Sequence, residues 1–379
     1  MVTLAEMEID AANHLQVAGR LSDAVGPAHA HAVLETALLR KRAAAKFSRA
    51  AGMYFTREAL QQASSESVSA YRARRFANAG FDRLADLGCG IGGDALALAA
   101  SAEVIGVDWD PLRLAMAQEN VRAYDHGQRF RPLLADLLEL SPLPVDALFA
   151  DPGRRDEYGR RLYSVHQYRP PLSYLESWRE QAPHQAVKIG PGVAYDELPA
   201  EAEVEFISVG GEVREALLWF GDLRSPAARR ATLLPGEFTL TSDEPAGIVT
   251  GQPRGYLYEP DGAVIRAHLV EQLGYKLDAS KIDDNIAYLT ADQPQATPFA
   301  RCYALDDYFP FQLKRLRAYL RERNIGDVII KKRGSPLDPD ELRRRLKLKG
   351  EGSCIIFLTR LQGQATVLVG RQEVIDQPA

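Results

Sequence analysis

Glycine and aspartate residues are concentrated in the stretch Asp86-Leu87-Gly88-Cys89-Gly90-Ile91-Gly92-Gly93-Asp94, between a run of β-forming residues and a helical pattern. A turn from strand to helix needs glycine where the backbone bends sharply or approaches a ligand, because a Cβ would block it. Gly88, Gly90 and Gly93 match the dinucleotide fingerprint. Asp108 lies about 20 residues further on, where an NAD-binding acid would lie. The stretch therefore predicts a nucleotide-cofactor site and leaves the cofactor open.

Four polar features favour S-adenosylmethionine over NAD. Asp86 stands two residues before the first glycine, where a carboxylate can take the cofactor's amino group or organise the loop through water. Asp94 adds a polar group at the end of the loop. Asp136 follows a third short strand, where it can accept a hydrogen bond from the adenine amine, and Asp151-Pro152 ends a fourth. A dehydrogenase has no obvious need for the last two features.

Four segments in this order resemble the successive motifs of class I methyltransferases, namely Asp86 to Asp94, Val107 to Asp110, Ala135 to Leu137, and Ala150 to Pro152. The resemblance covers roughly residues 80–221. It implies an α/β fold, with a Rossmann-like seven-stranded sheet that ends in an antiparallel hairpin, and S-adenosylmethionine as cofactor. It implies cofactor-binding roles for Asp86, Gly88, Cys89, Gly90, Gly92, Asp108, Trp109, Asp136 and Leu137.

Individual roles follow from the same resemblance. The methionine part of the cofactor would lie against Gly88, Gly90 and Gly92, and Asp108 would accept both ribose hydroxyls. Trp109 would lie beside the adenine, with a place in the core as the alternative. Cys89 has the alternative of a small residue that fills a tight turn. For the whole stretch, the alternative is a glycine-rich turn without a ligand.

The acceptor side is predicted at Asp151 and Pro152, our candidate catalytic residues. They fall where amine-methylating relatives carry an Asp/Asn-Pro-Pro-aromatic motif that holds an exocyclic amine. The chain continues as Gly153-Arg154-Arg155-Asp156, without the second proline and the stacking aromatic. This departure argues against methylation of a base amine. Because alignment of nucleophile, methyl carbon and leaving sulfur supplies much of the acceleration, few catalytic residues are needed.

A cationic cluster follows the candidate acceptor residues and comprises Arg154, Arg155, Arg160 and Arg161. Guanidinium groups suit phosphate or carboxylate, so we predict that Arg154 and Arg155 bind an anionic substrate. The alternative is an ion-pair network with Asp156 and Glu157. Lys188, which precedes Gly190-Pro191-Gly192 at the end of a fifth strand, is predicted to face the same region and to contribute to substrate binding.

Periodicity predicts four regions along the chain. Residues 1–78 form an N-terminal helical region, in which Thr56 resembles an N-cap. Residues 79–225 form the methyltransferase domain, because short β-rich runs alternate with helical segments and two later strands flank Gly210-Gly211. Residues 226–300 form a connecting region, loop-rich from Ala227 to Gly255. Residues 301–379 form an α+β domain with a ferredoxin-like, or THUMP-like, arrangement.

Two further resemblances concern the ends of the chain. The stretch Tyr54 to Ala63, with Gly92-Gly93-Asp94, loosely resembles the helical lid of trimethylguanosine synthases, and a helical bundle that buttresses the sheet is the alternative. The stretch Gly326 to Gly334 and the basic helix after it resemble the THUMP-like domain of an uncharacterised family of bacterial methyltransferases. THUMP domains accompany RNA modification, so this resemblance implies RNA as a partner.

Charge supports a nucleic-acid partner only locally. The net charge is -5, yet residues 301–370 contain 15 Lys and Arg against 8 Asp and Glu. The cations that could neutralise phosphates are Lys331, Lys332, Arg333, Arg343, Arg344, Arg345, Lys347 and Lys349. The alternative for the arginine run at residues 343–345 is a solvated helix face. Met1 to Glu6 contain no basic segment, and the three cysteines are scattered. We therefore expect a cytoplasmic protein without a membrane span, disulfide framework or metal site, and make no prediction of its oligomeric state.

The leading hypothesis from the sequence is an S-adenosylmethionine-dependent methyltransferase that acts on RNA. One alternative is a methyltransferase for a small molecule or a protein, with an anionic substrate on the arginine cluster. Another is a scaffold that binds RNA and retains the cofactor without turning it over. Loss of activity with retained cofactor affinity in Asp151→Ala would distinguish an enzyme from the scaffold.

Overall fold

The computed structural model describes residues 14–156 and 158–373. By its internal contacts the chain divides into two units. The first extends to residue 203 and includes residues 216–225, and the second comprises residues 204–215 and those from 226 onward. Among the described residues, no helix has both the length and the apolar character that a membrane span requires.

The first unit begins with four helices within the predicted N-terminal helical region, of which residues 1–13 lie outside the described residues. The helices are α1 (His14–Val25), α2 (Pro27–Ala43), α3 (Arg57–Gln62) and α4 (Glu66–Asn78). The Thr56 hydroxyl accepts a hydrogen bond from the Ala59 amide at 3.1 Å, which confirms the predicted N-cap. Helix α4 buries the face that contains Val68, Arg72 and Phe76. This four-residue spacing is typical of a helix packed on one side.

A sheet with helices between its strands forms the rest of the first unit. Its strands run in the order β3-β2-β1-β4-β5-β7, and β7 is antiparallel to β5. The bounds are β1 (Arg83–Leu87), β2 (Glu103–Asp108), β3 (Phe130–Leu134), β4 (Ala147–Ala150), β5 (His184–Ile189), β6 (Glu203–Val209) and β7 (Glu212–Trp219), with α5 (Ala95–Leu98), α6 (Pro111–Ala123) and α7 (Leu172–Ser177). All seven predicted strands are therefore present, of which residues 204–215, in β6 and the start of β7, belong to the second unit.

The central strands explain why the candidate site lies at one edge of this sheet. Every residue of β4 is buried, as is typical of parallel strands covered on both faces. Strands β3, β2, β1, β4 and β5 are parallel to one another, so their carboxyl ends meet at the same edge. That edge is where ligands bind in open α/β sheets.

The turn after β6 requires glycine. Gly210 and Gly211 have φ values of +60° and +86°. These lie in the region that side chains with a Cβ rarely adopt. The predicted two-residue turn between β6 and β7 is thus present.

The second unit contains two further groups of strands. Strand β6 is parallel to β8 (Arg229–Leu234), which is antiparallel to β9 (Phe238–Thr241). The prediction that the β6–β7 hairpin ends a seven-stranded sheet is therefore wrong, because β8 and β9 continue that sheet to nine strands. A seven-stranded sheet has the order β11-β12-β10-β13-β16-β15-β14. Its bounds are β10 (Tyr256–Pro260), β11 (Ser280–Asp283), β12 (Ile286–Ala291), β13 (Ala300–Pro310), β14 (Ile325–Lys332), β15 (Gly352–Leu361) and β16 (Gln364–Gln372), with α8 (Gly262–Arg266), α9 (Val270–Lys276), α10 (Leu313–Glu322) and α11 (Pro339–Leu346).

The segment from Ala227 to Gly255 differs from the expectation of a loop-rich passage. Strands β8 and β9 lie within it, and the next strand, β10, pairs with both β12 and β13 inside the seven-stranded sheet. The Pro and Gly residues here separate short strands, and the composition of the segment reflects those turns. The predicted α+β composition of the tail is present as β13, α10, β14, α11, β15 and β16.

Candidate active site

The glycine turn after β1 leaves room for a ligand on one side and is closed on the other. Gly88, Gly90 and Gly92 have φ values of +80°, +55° and +81°. A Cβ on Gly88 would lie 3.2 Å from the backbone oxygen of Asp151, whereas a Cβ on Gly90 would meet no atom within 4 Å. Glycine at position 88 thus allows the loop to approach the end of β4. The open space beside Gly90 is where a cofactor can come close to the backbone.

Asp108, at the end of β2, holds this turn in place. Its Oδ2 accepts a hydrogen bond from the Gly90 amide and its Oδ1 accepts one from the Asp110 amide, both at 2.9 Å. The residue is buried. Each carboxylate oxygen has a second lone pair, so the same group can still accept two hydroxyl protons from a ribose.

Asp86 is a buried acid with an orphaned oxygen. Its Oδ2 has no hydrogen-bond partner among the described residues. Burial raises the pKa of the carboxyl well above its usual range, and the negative charges of Asp94 and Asp151 raise this pKa further. A buried polar atom without a partner is costly, and a cationic N–H donor would satisfy it. Asp86 therefore fits the amino group of an amino-acid cofactor.

The cost of ionising the buried Asp86 carboxyl predicts that Asp86→Asn changes the stability of the protein in a pH-dependent way. Because the pKa of Asp86 is raised in the folded protein, the free energy of unfolding falls as pH rises from the ordinary value of 3.8 through the raised pKa. Asparagine cannot ionise, so the variant should unfold at a higher temperature than the wild type at about pH 8 and lose this advantage near about pH 4. Differential scanning fluorimetry across this range measures both.

A matched control for this experiment is Asp125→Asn. Asp125 is exposed, and its hydrogen bond and ion pair with Arg49 lower the pKa of its carboxyl. This variant should gain no stability at high pH. If the unfolding temperatures of Asp86→Asn and the wild type change with pH in the same way, ionisation of Asp86 does not destabilise the folded protein.

The adenine side contains one exposed ring and one exposed acid. Trp109 is 73% exposed, which excludes the alternative of a core residue and leaves the ring free to cover a ligand. Asp136 is exposed, its Oδ1 accepts a hydrogen bond from the Leu138 amide at 2.9 Å, and Leu137 is half-buried.

Cys89 is buried, and burial raises the pKa of its thiol well above the usual range. Cys89 therefore packs in a tight turn and is unsuited to act as a nucleophile.

The acceptor side is built around an ion pair. The Lys188 ammonium on β5 donates to Asp151 Oδ2 at 2.7 Å and to the Ser64 hydroxyl at 3.2 Å. Lys188 is buried and the Asp151 side chain is 27% exposed. No described residue donates a hydrogen bond to Asp151 Oδ1, so this oxygen can accept one from a substrate. Pro152 is buried beside it.

The N-terminal helices contribute two site contacts that sequence reasoning missed. Arg72 on α4 is buried and forms an ion pair with Asp94 at the end of the glycine turn. Ser64, between α3 and α4, contacts Lys188. Arg72 lies at an apolar position of the α4 pattern, and a charged residue there signals a buried partner. Ser64 gave no comparable signal. These contacts are those expected of helices that buttress the sheet.

The arginine cluster contains one ion pair within its described part. Arg160 Nε contacts Asp156 Oδ2 at 2.7 Å, and the Arg160 amide donates to Asp156 Oδ1 at 2.8 Å. Glu157, the other acid of the predicted alternative network, lies outside the described residues. No described carboxylate lies within 4.0 Å of Arg154 or Arg155, although Arg155 donates to the Gly159 carbonyl at 2.8 Å.

The two lysines predicted to bind substrate in the tail differ in their surroundings. Lys331 forms an ion pair with Glu259, which also accepts a hydrogen bond from the Tyr303 hydroxyl at 2.9 Å. Lys332 is exposed, and among the described residues no carboxylate lies within 4.0 Å of it. Of the two, Lys332 is the more available to an external anion.

Two models of known protein families match this chain, one in the first unit and one in the tail. A model described as a methyltransferase domain matches residues 84–151, which include the glycine turn, Asp108 and Asp151. A model described as THUMP domain-like matches residues 300–372, which span β13 to β16.

Individual relatives extend the match over most of the chain. Two from Mycobacterium tuberculosis, strains CDC 1551 / Oshkosh and ATCC 25618 / H37Rv, are described as uncharacterized S-adenosylmethionine-dependent methyltransferases. Each is 37% identical over 341 residues, which cover 87% of this chain and 92% of the relative. A solved structure from Porphyromonas gingivalis W83, provisionally assigned as a methyltransferase, has a TM-score of 0.76 and 22% identity over 97% of this chain and 100% of that one. That likeness concerns the fold.

The fold and the site together define a class I methyltransferase with a THUMP-like domain. The chain belongs to the S-adenosylmethionine-dependent methyltransferases, and its cofactor is S-adenosylmethionine. The ambiguity with NAD that the glycine spacing left open is thereby resolved.

Proposed function

We propose that this methyltransferase acts on RNA. The observation that carries the proposal is a basic surface on the THUMP-like domain. Lys332, Arg344, Lys347 and Lys349 are exposed there, and among the described residues no carboxylate lies within 4.0 Å of any of them. Unpaired surface cations can neutralise successive phosphates of a nucleic acid. The resemblance of the domain to one that accompanies RNA modification favours RNA over DNA.

Helix α11, which carries Arg344, also has arginines that pair with acids of the same helix. Arg343 lies 3.4 Å from Asp340, and Arg345 lies 3.5 Å from Glu341. Such exposed pairs one turn apart contribute little to stability and neutralise their own charge. Arg343 and Arg345 are therefore not among the unpaired cations that we propose for phosphate binding.

The cofactor residues have separable proposed roles. Asp86 takes the amino group, the backbone at Gly88, Gly90 and Gly92 lies against the methionine part, and Asp108 accepts the ribose hydroxyls. The adenine lies beside Trp109 and Leu137, with its amine donating to Asp136, while Cys89 shapes the turn. When bound, S-adenosylmethionine supplies an electrophilic methyl group. The chain's own residues supply position and exclude water.

Asp151 is the proposed orienting residue for the acceptor. Lys188 holds Oδ2 of its carboxylate through an ion pair, which fixes the orientation of the group. Oδ1 is then left to accept a hydrogen bond from the nucleophile and align it with the methyl carbon. Alignment alone supplies a large part of the acceleration of a displacement reaction. The buried ring of Pro152 limits the backbone freedom next to this group.

Transfer of a labelled methyl group into extract components tests the proposed substrate. We expect label in material that ribonuclease, but not protease or deoxyribonuclease, releases. Label in protein or in small acids would favour the alternative of an anionic non-RNA substrate. Retention of cofactor without transfer to any fraction would favour a binding scaffold.

Charge reversal at Lys332 tests the basic surface. Lys332→Glu should weaken RNA binding and make the dependence of log affinity on log salt less steep by about 0.7 or more. Arg42→Glu, on exposed α2 in the other unit, changes the net charge equally and should leave the slope unchanged. Reversal at Lys331 is unsuitable because it would place a carboxylate against Glu259. Equal affinity of Lys332→Glu and wild type at every salt concentration would remove the basic surface from the proposal.

A further inference from the structure

The segment after Asp151-Pro152 forms a small hairpin, described at residues 153–156 and 158–163, which we call the arginine arm. The Leu162 amide donates to the Arg154 carbonyl at 2.9 Å, and the Asp156 amide donates to the Arg160 carbonyl at 3.0 Å. Gly159, with a φ of +76°, makes the turn. The arm begins two residues after Asp151, so its base lies on the acceptor side of the site.

Three guanidinium groups of the arm lack a described counter-ion. Arg155 and Arg161 are directly opposite each other on an antiparallel bridge, where like charges are destabilising. A Cβ built on Gly190 would lie 3.5 Å from Nη1 of Arg154 and 3.8 Å from Nη2 of Arg161, so these two groups converge on the end of β5. Among the described residues no carboxylate lies within 4.0 Å of Arg154, Arg155 or Arg161. Convergent, uncompensated guanidinium groups form a site for a phosphate.

Two tyrosines of the arm expose their rings. Tyr158 is 74% exposed and Tyr163 is 67% exposed. The Arg160 guanidinium lies 5.1 Å from the centre of the Tyr158 ring, and that of Arg161 lies 5.8 Å from the centre of the Tyr163 ring. Each side chain stays mostly exposed despite this contact, so its ring remains accessible to a ligand. An open aromatic face next to a phosphate site can stack a nucleic-acid base.

We propose that the arginine arm binds an unpaired stretch of RNA, with phosphate on Arg154 and Arg161 and bases stacked on Tyr158 and Tyr163. This inference rests on the proposed RNA substrate and specifies its state. In a duplex the bases stack on one another, so only an unpaired strand can offer bases to the tyrosines. The aromatic group that the residues directly after Asp151-Pro152 lack is thus supplied by the arm.

Fluorescence anisotropy with a labelled oligoribonucleotide of mixed sequence tests this proposal, with the same strand annealed to its complement as the duplex probe. Wild type should bind the single strand more tightly. Replacement of Tyr158 or Tyr163 by alanine should weaken that binding about tenfold each, and replacement by phenylalanine should keep it, because stacking needs the ring and not the hydroxyl.

The arginines are tested by the salt dependence of the same binding. The double variant Arg154→Ala/Arg161→Ala should make the slope of log affinity against log salt less steep by about 1.4. Arg83→Ala/Arg129→Ala is the matched control. It removes the same charge from exposed positions at the amino ends of β1 and β3, away from the site. Unchanged unfolding temperature and S-adenosylhomocysteine affinity establish that each variant is folded.

The outcomes separate this inference from the proposed function. Tyrosine-to-alanine variants that bind RNA like the wild type, or equal wild-type affinity for duplex and single strand, would overturn the role of the arm while RNA methylation stands. If the wild type binds neither probe and transfers label to a phosphopeptide or a small acid, the arm proposal and the RNA substrate both fail.

Discussion

Replacement of Asp108 by alanine should raise the Kd for S-adenosylhomocysteine, the demethylated product, about 100-fold or more. The carboxylate accepts hydrogen bonds from the amides of Gly90 and Asp110, so its loss frees the glycine turn. In its proposed role it also loses two hydrogen bonds to the ribose. Hydrogen bonds to a charged group contribute about 1.5–3 kcal/mol each, which gives this magnitude. Isothermal titration calorimetry measures the change.

Asp110→Ala is the control for Asp108→Ala. Asp110 lies at the same strand end, but its Oδ1 accepts from the amides of Leu112 and Arg113 at 2.9 and 3.2 Å and so caps α6. Its loss should cost about 1 kcal/mol of stability and leave the affinity nearly unchanged. A wild-type Kd for Asp108→Ala, with both variants folded, would sink the ribose role.

Local patterns in the sequence were sufficient to predict the frame of the site. The run from β1 through the glycine turn to α5 combines β-forming residues, positive-φ glycines and a helical start within about 16 residues, so each element is predicted from its neighbours. Thr56 is a cap because its hydroxyl reaches an amide only three residues away. The tail elements followed for the same reason.

Contacts between distant residues could not be predicted in this way. Lys188 and Ser64 are 124 positions apart, and Lys331 and Glu259 are 72 apart. No periodicity links such pairs, because their approach depends on strand order and helix packing. Trp109 is a similar case, since an aromatic residue at a strand end can point into the core or away from it. In the structure the Trp109 ring is exposed and so points away from the core.

Replacement of Asp151 by alanine is expected to lower kcat about 100-fold or more while the Kd for S-adenosylhomocysteine stays within about twofold. The proposed role of the carboxylate is to align the acceptor through Oδ1, and its side chain is hydrogen-bonded to Lys188, which is not one of the cofactor residues. Single-turnover transfer of labelled methyl groups and calorimetry on the same preparation measure the two quantities. A scaffold without turnover would lose neither.

The ion pair with Lys188 makes alanine an imperfect probe, and it identifies a better one. Within the described part of the chain, removal of Asp151 leaves the buried Lys188 ammonium with the Ser64 hydroxyl as its one partner, and breaking a buried pair in this way costs about 3–5 kcal/mol. Asp151→Asn keeps an oxygen that can accept from Nζ, so it should remain more stable than the alanine variant. It lacks the negative charge that strengthens a hydrogen bond to the nucleophile, so we expect it still to lose most activity.

The partners of Lys188 then distinguish positioning from folding. Ser64→Ala removes one contact of the ammonium and leaves the Asp151 pair intact, so its kcat should remain within about threefold of the wild type. Lys188→Met removes the hydrogen bond to Asp151 Oδ2. Because the Asp151 side chain is partly exposed, water can replace the ammonium there, but water does not hold the carboxylate in one orientation. We therefore expect Lys188→Met to reduce kcat more than Ser64→Ala does and to leave cofactor affinity unchanged. Equal effects of these two variants would mean that Lys188 stabilises the fold without holding Asp151 for catalysis.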